Sequence, residues 1–317
     1  MTTSGQTVLS VTRDEIIFAA LEDIGAYAPG MDTPTASEVD GASRRLNMMV
    51  KAFQAAGVGL WLNDYIVVPV QGGTPKYAIG PSGDVCSRVI QYQTIATAAV
   101  AGAATVTLTD ATDVDDTNII GIAVDNNWID WTTVNGAPVG NVVTLTAVLG
   151  AAAAKGNSVY FYHANEVVPK PIAINAVNLW TKDGSTVTMS GTISFPGGGL
   201  QRLRPISRDE YFALPNSFSA GPPTQYYYDP QLSAGDLYVW PITTNMASVL
   251  VVDVRIPIQI FENTPDTPDF PAEWFDALHY SLALRLCPAY KVGMNEYTRI
   301  KELAAIALQD ADGFDRE

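Results

Sequence analysis

The chain is poor in the residues that most often carry out chemistry. Its 317 residues include two histidines, His163 and His279, and two cysteines, Cys86 and Cys287. The cysteines stand far apart and fit no metal spacing, so they read as buried free thiols. Neither histidine has a second His or Cys three or four residues away, the spacing from which a metal site is built. His163, at the end of a strand, and His279, inside a helix, therefore read as structural or surface residues. Positive charge is also scarce: 18 Lys and Arg against 33 Asp and Glu leave a net −15. Such a surface repels phosphates and anionic membranes, which argues against a sequence-reading nucleic-acid binder. Long apolar runs are missing too. The stretch from Ile95 to Val106 is mostly alanine and too short to span a bilayer. Met1 to Ser10 shows no basic region followed by an apolar one, so no signal peptide is expected and the reading is a soluble protein made inside the cell.

Catalytic signatures are equally thin. There is no nucleophile elbow, phosphate loop or dinucleotide fingerprint. Gly197-Gly198-Gly199 lacks the Lys-Ser/Thr that would follow in a phosphate loop and reads as a flexible turn. Asp110, Asp113, Asp115 and Asp116 imitate a calcium loop, but its sixth-place glycine and twelfth-place glutamate are missing, which leaves a solvated acidic turn. Tyr226-Tyr227-Tyr228, Tyr238 and Trp240 are the residue types of a sugar-binding face, yet at strand spacing they read as core and interface packing. No catalytic residue, cofactor or metal is expected.

What is present is a large apolar content, 47% against 16% charged residues, ample for a buried core. Thr12 with Glu15, and Thr35 with Glu38, are capping-box signals. Behind the first, Ile16, Ile17, Ala20, Leu21 and Ile24 recur at helical spacing, and Gly25 and Pro29 end the run. Behind the second come Val39, Ala42, Leu46, Met49, Val50 and Phe53, closed by Gly57. Strand signals follow at Leu60–Val70, Tyr77–Ile79, Leu237–Trp240 and Ser248–Ile258. Between them, residues 94–163 carry five short β runs: Thr105–Leu108, Ile119–Val124, Trp128–Val134, Val142–Val148 and Ser158–Tyr162. Asn135-Gly136 is a hairpin cue among them. Near the end, Pro271 opens a helix containing Trp274, Phe275, Leu278, Leu282 and Leu286, which Pro288 should stop. A last helix is expected from about Asn295 to Asp312.

The expected fold is therefore α+β. Residues 1–59 and 271–317 supply two helical hairpins that combine into a four-helix bundle. Residues 60–93 and 164–270 form a central β-domain, and residues 94–163 form a small inserted β-barrel or sandwich.

One ordered set of segments resembles a known family. Tyr226-Tyr227-Tyr228-Asp229-Pro230-Gln231 followed by Gly235-Asp236-Leu237-Tyr238-Val239-Trp240-Pro241 resembles the tail adaptor proteins of podoviruses. Pro268-Asp269-Phe270-Pro271-Ala272-Glu273-Trp274, running on through Leu278-His279-Tyr280-Ser281-Leu282-Ala283-Leu284-Arg285-Leu286, is similar to the same proteins. So are the N-terminal helical pair with Gly57-Val58-Gly59-Leu60-Trp61, and Tyr77-Ala78-Ile79-Gly80. The resemblance covers about residues 12–90 and 165–310, and none of its motifs is catalytic. It implies a non-enzymatic virion protein, assembled in the host cytoplasm as a dodecameric ring between the portal protein and the tail nozzle. Genomic DNA would pass through the ring without sequence-specific binding, and no membrane would be involved. Residues 94–163, which depart from the family pattern, would lie on the rim and meet the nozzle or tail fibres. Asp310, Asp312, Phe314 and Arg316, in a polar, glycine-broken end expected to stay mobile until it docks, are the candidate portal contacts. Two other classes fit the composition: a tail-borne peptidoglycan or polysaccharide hydrolase with paired carboxylates, and a trimeric fibre or receptor-binding protein.

Overall fold

The computed structural model describes residues 11–28, 30, 33–57, 62–81, 83, 87–88, 90–163, 168–182, 198–243, 246–263, 266 and 270–316. The chain divides into two compact units: residues 1–62 with 257–317, and residues 63–256. The helices among the described residues are α1 (Arg13–Asp23), α2 (Ala36–Ala55), α3 (Arg208–Phe212), α4 (Phe275–Tyr290) and α5 (Met294–Arg316). All but α3 belong to the first unit.

Both N-terminal helices begin with the expected capping boxes. The Glu15 carboxylate accepts from the Thr12 backbone N–H at 2.7 Å, and that of Glu38 accepts from Thr35 at 2.8 Å. These bonds favour the ionised carboxylates and hold both below the ordinary glutamate range. Ile16, Ile17, Ala20 and Leu21 of α1, Ala42, Leu46, Met49 and Val50 of α2, and Ala277, Leu278, Leu282 and Leu286 of α4 are all buried. α4 packs on both N-terminal helices, which also touch each other.

The expected four-helix bundle does not form. α5 lies along α4 and the 3-10 turn Ala272–Trp274 that precedes it. It fully buries Ile300, Ala304 and Ala311 while leaving Ile306 exposed. A face made largely of alanine covers little apolar area and cannot serve as the fourth wall of a core. Pro288 does not stop α4 either. It sits in the last turn, and the helix ends at Tyr290, followed by Lys291 in the left-handed conformation. Only one backbone bond is lost by a proline there.

A second stripe on α2 is polar. Asn47, Lys51 and Gln54 stand at helical i, i+4, i+7 spacing and grip the returning backbone. Asn47 Nδ2 donates to the Phe261 carbonyl and its Oδ1 accepts from the Phe261 N–H, each at 2.9 Å. Gln54 Oε1 accepts from the Ile258 N–H at 3.1 Å, and Lys51 Nζ donates to the Ile258 carbonyl at 2.5 Å. Burial pushes the Lys51 ammonium below its usual value.

The β unit contains strands β1 (Asn63–Pro69), β2 (Lys76–Ile79), β3 (Gln91–Thr97), β4 (Thr105–Leu108), β5 (Ile119–Val124), β6 (Trp128–Thr133) and β7 (Val142–Thr144). These are followed by β8 (Ser158–Tyr162), β9 (Ala173–Lys182), β10 (Gly198–Arg202), β11 (Arg204–Pro205), β12 (Gln225–Asp229), β13 (Gly235–Trp240) and β14 (Ser248–Arg255). Three sheets result, in the orders β1-β14-β9-β10, β11-β12-β13-β2 and β6-β5-β8-β3-β4-β7. β14 is central in its sheet, paired antiparallel with β1 and β9, and its residues 248–252 are buried on both faces.

The small inserted barrel or sandwich is corrected as well. The third sheet has six strands, the largest in the protein. Ile95, Leu108, Ile120, Ile122, Val143, Leu145 and Phe161 form its own core. Tyr92, Ile129, Tyr160 and Tyr162 instead join Val67, Trp180, Val249 and Val251 of the β1-β14-β9-β10 sheet in a second core. Alternation along β8 sends Tyr160 and Tyr162 to one side and Val159 and Phe161 to the other, so a single strand serves both. All five residues of β8 are buried. Asn135-Gly136 does not close a two-residue hairpin: Val134 bridges Leu145, so the connection runs from 135 to 144.

Two measurements check these cores. Leu282→Ala should lower unfolding free energy by about 2–5 kcal/mol through loss of buried contacts. Tyr160 donates to the Met246 carbonyl at 2.6 Å from a fully buried hydroxyl. Tyr160→Phe should cost about 1–3 kcal/mol in urea denaturation, because it strands that carbonyl.

Candidate functional site

The β11-β12-β13-β2 sheet presents the largest aromatic grouping. Cross-strand pairing sets Tyr227 opposite Tyr238 and Tyr226 opposite Val239. With side chains alternating, Tyr226, Leu237 and Val239 turn to the buried face and Tyr227, Tyr238 and Trp240 to the other. Tyr227 and Tyr238 stack at 5.7 Å with rings 19° apart. α3 lies over them, started by Ser207, whose hydroxyl accepts from the Glu210 N–H while the Glu210 carboxylate accepts from the Ser207 N–H. Tyr211 reaches Tyr238 at 5.2 Å and Tyr227 at 6.1 Å between ring centres. Burial beside Tyr238 raises the Tyr211 phenol above its ordinary value.

Pro75, Tyr211, Phe212, Leu214, Ser217, Phe218 and Tyr238 line a recess of about 230 Å³. Its rim is open: Phe212 is 63% exposed and Phe218 73%. The guanidinium of Arg208 sits 5.8 Å from the Phe212 ring centre, within the range of a cation–π contact. The loop carrying Phe218 is fixed by Trp240, whose indole N–H donates to the Asn216 carbonyl at 2.8 Å. Tyr228, pushed up to about 12 by burial and by Asp236 and Asp229, donates to the Pro171 carbonyl at 2.7 Å. Gly235 is required beside it, since any Cβ there would collide with the Tyr228 ring.

The tyrosines and Trp240 were visible in the sequence. Tyr211, Phe212, Phe218 and Arg208 were not, because nothing in a short Arg-Asp-Glu-Tyr-Phe helix marks it as covering a sheet. Their one sequence signal is the Ser207-x-x-Glu210 cap.

The other predicted positions are scattered. Asp310 is exposed and Asp312 half-buried on α5, which runs through Gly313 to Arg316, so the expected mobile end is helical. The side chains of Phe314 and Arg316 lie outside the described residues, as do Cys86 and Gly197. Gly198 and Gly199 open β10 and are not a turn. Asp110 accepts from the N–H and hydroxyl of Thr112, and Asp116 accepts from the Gly136 N–H at 2.7 Å. Asp113 and Asp115 are exposed. Among the described residues no group of three His, Cys, Asp or Glu is placed to hold a metal, and no helix is long and apolar enough to cross a membrane. Cys287 is buried, which raises its thiol.

His163 lies 3.8 Å from Asp115 at the surface. His279 is more enclosed. Its Nδ1 is 3.0 Å from the Phe275 carbonyl, its Nε2 is 3.5 Å from Asp23 Oδ2, and Asp276 stands 3.8 Å from Nδ1. Desolvation raises the Asp23 carboxyl, against the opposing pull of His279 and Arg299.

No family model and no curated protein matches the chain. Among solved structures, the tailspike gp61 of Pseudomonas phage phi297 aligns over 23% of this chain and 14% of its own, at 16% identity and a TM-score of 0.20. The chain thus spans about a seventh of that tailspike's length, and so slight a likeness bears on neither fold nor function.

The raised Asp23 carboxyl makes the pH dependence of stability predictable. The folded state binds the extra proton between the unfolded value, about 4, and the raised folded one. Stability is therefore greatest below that window and falls as pH rises through it. Urea denaturation across it should show this slope in the wild type and lose it in Asp23→Asn. An identical slope in both proteins removes Asp23 as its source.

Proposed function

We propose that the protein is a structural component of a phage virion, a head-to-tail adaptor whose copies form a ring between the portal and the tail nozzle. The observation that carries this reading is the exposed aromatic surface on β12 and β13, the strand pair whose sequence resembles the podovirus adaptors. Large exposed aromatic side chains beside an arginine are characteristic of protein interfaces, where they provide contact area at low entropic cost. The second resembling segment, residues 268–286, supplies Trp274, Leu278, Leu282 and Leu286 to the helical core. It builds the scaffold and places no reactive group.

The charge balance suits a conduit. With 33 acidic against 18 basic residues, a ring of copies would repel DNA phosphates and let the strand slide. The same acidity opposes assembly, because like-charged copies repel until a template offsets the cost. In this reading α5 meets the portal near Asp310, Asp312, Phe314 and Arg316, and the six-stranded sheet of residues 91–162 faces the nozzle or fibres.

Light scattering of the protein alone and with purified portal protein, across a salt series, tests the proposal. The expected result is a small species alone and a ring-sized complex with portal. Assembly should become easier as salt screens the repulsion over about 8–10 Å. No complex at any salt concentration overturns the adaptor reading. A stable free trimer favours the fibre class, and clearing of a peptidoglycan gel favours the hydrolase.

A further inference from the structure

The aromatic recess lies in the densest run of positive charge in this acidic chain. Arg202, Arg204 and Arg208 fall within seven residues, and all three are exposed. Arg208 rests on Phe212, and Arg204 reaches Glu210 only at 3.9 Å. Glu210 is already engaged in the helix cap, accepting from Ser207 at 2.7 Å. The arginines thus frame an open apolar recess with cationic edges.

The six-stranded sheet carries the complementary surface at one end. Between residues 94 and 163 the chain has Asp110, Asp113, Asp115, Asp116, Asp125 and Asp130 against Lys155 alone. Asp116 ties the 110–116 turn to Gly136, and the Thr117 N–H donates to the Val134 carbonyl. From the other side Asn141 is joined to the same end, its carbonyl accepting from Leu108 and its Nδ2 donating to the Thr109 carbonyl. Val139 and Val142 exchange backbone hydrogen bonds in a tight turn at this end, and Val139 is 82% exposed. Asp113 and Asp115 are exposed beside it, Asp115 facing His163 at 3.8 Å. An apolar tip flanked by carboxylates matches an apolar recess flanked by guanidiniums.

We propose that the recess of one copy receives the Val139 tip of a second copy, with Asp113 and Asp115 facing Arg204 and Arg208. Two different patches are joined, so the contact is heterologous, and its repetition closes a ring or runs on as a filament. It rests on the adaptor reading only for the choice of a ring. Net repulsion between copies acts at long range and is screened first, whereas pairs formed at the contact are partly desolvated and screened less. Moderate salt therefore favours the contact.

A charge exchange tests it without portal, so failure of the adaptor reading leaves the result readable. One protein carries R204E and R208E, and a second carries D113R and D115R; circular dichroism melts should match the wild type, since all four side chains are exposed. Sedimentation velocity at about 0.15 M salt, over a concentration series, should show reversible wild-type association. Each variant alone should lose it, and an equimolar mixture should regain it, because every tip then meets a recess of opposite sign. F218S should weaken wild-type association by about tenfold or more, in line with loss of an exposed aromatic anchor. A wild type that remains monomeric throughout, variants that associate as the wild type does, or a mixture that stays monomeric each overturns the proposal.

Discussion

The antiparallel pairing of β1 with β14 is the constraint from which the architecture follows. Asn63 stands opposite Arg255 and Pro69 opposite Val249, so the chain enters and leaves the β unit at neighbouring positions. Helical segments from the two ends of the sequence can then share one core, although 194 residues separate Leu62 from Pro257. β14 is suited to this place because it is buried on both faces and held by ladders on both sides. Pro257, without an N–H to donate, follows where the ladder ends. Beyond it the polar stripe of α2 takes over, with Gln54, Lys51 and Asn47 receiving the backbone that the sheet releases. A sheet ladder is thus succeeded by side-chain bonds from a helix, and few peptide groups along the return are left unsatisfied.

Local signals in the sequence were reliable wherever one interaction decided the outcome. Capping boxes at Thr12 and Thr35 work as their spacing implies, and strands such as Ile119–Val124 and Ser158–Tyr162 have the limits their β-rich runs suggest. Failure came where a choice depended on partners far away in the chain. The apolar face of α5 looks adequate on a helical projection, but its alanines bury too little to close a bundle. Residues 158–162 read as a strand of a small module, yet Tyr160 and Tyr162 belong to the core of a different sheet. Asn135-Gly136 resembled a tight hairpin because sequence alone does not reveal that Val134 bridges Leu145. The polar grip of Asn47, Lys51 and Gln54 was also hidden. Nothing about three polar residues on a helix says that they face a strand's backbone and not water.

The functional surface divides in the same way. Aromatic residues on β12 and β13 were legible as strand residues, and their outward face follows from alternation. What turns them into a recess is α3 and the loop holding Phe218, which the sequence marks only by a cap. Charge completes the picture: in a chain of −15, three clustered arginines mark a local reversal of sign. A broadly acidic protein with one cationic, aromatic-lined depression has a preferred place for an acidic neighbour and a general aversion elsewhere. Such a combination favours specificity over raw affinity.

The divided origin of the helical unit also sets a schedule during synthesis. α1 and α2 emerge first, with Ile16, Ile17, Leu46 and Met49 ready to be buried, but their partner α4 is not made until the whole β unit has been translated. At about 5–20 residues per second that interval is roughly 10–40 s. Throughout it an apolar hairpin stands uncovered on a nascent chain, a natural client for chaperones. The unit closes only after β14 has joined β1, which makes completion of the sheet the checkpoint for the rest of the molecule.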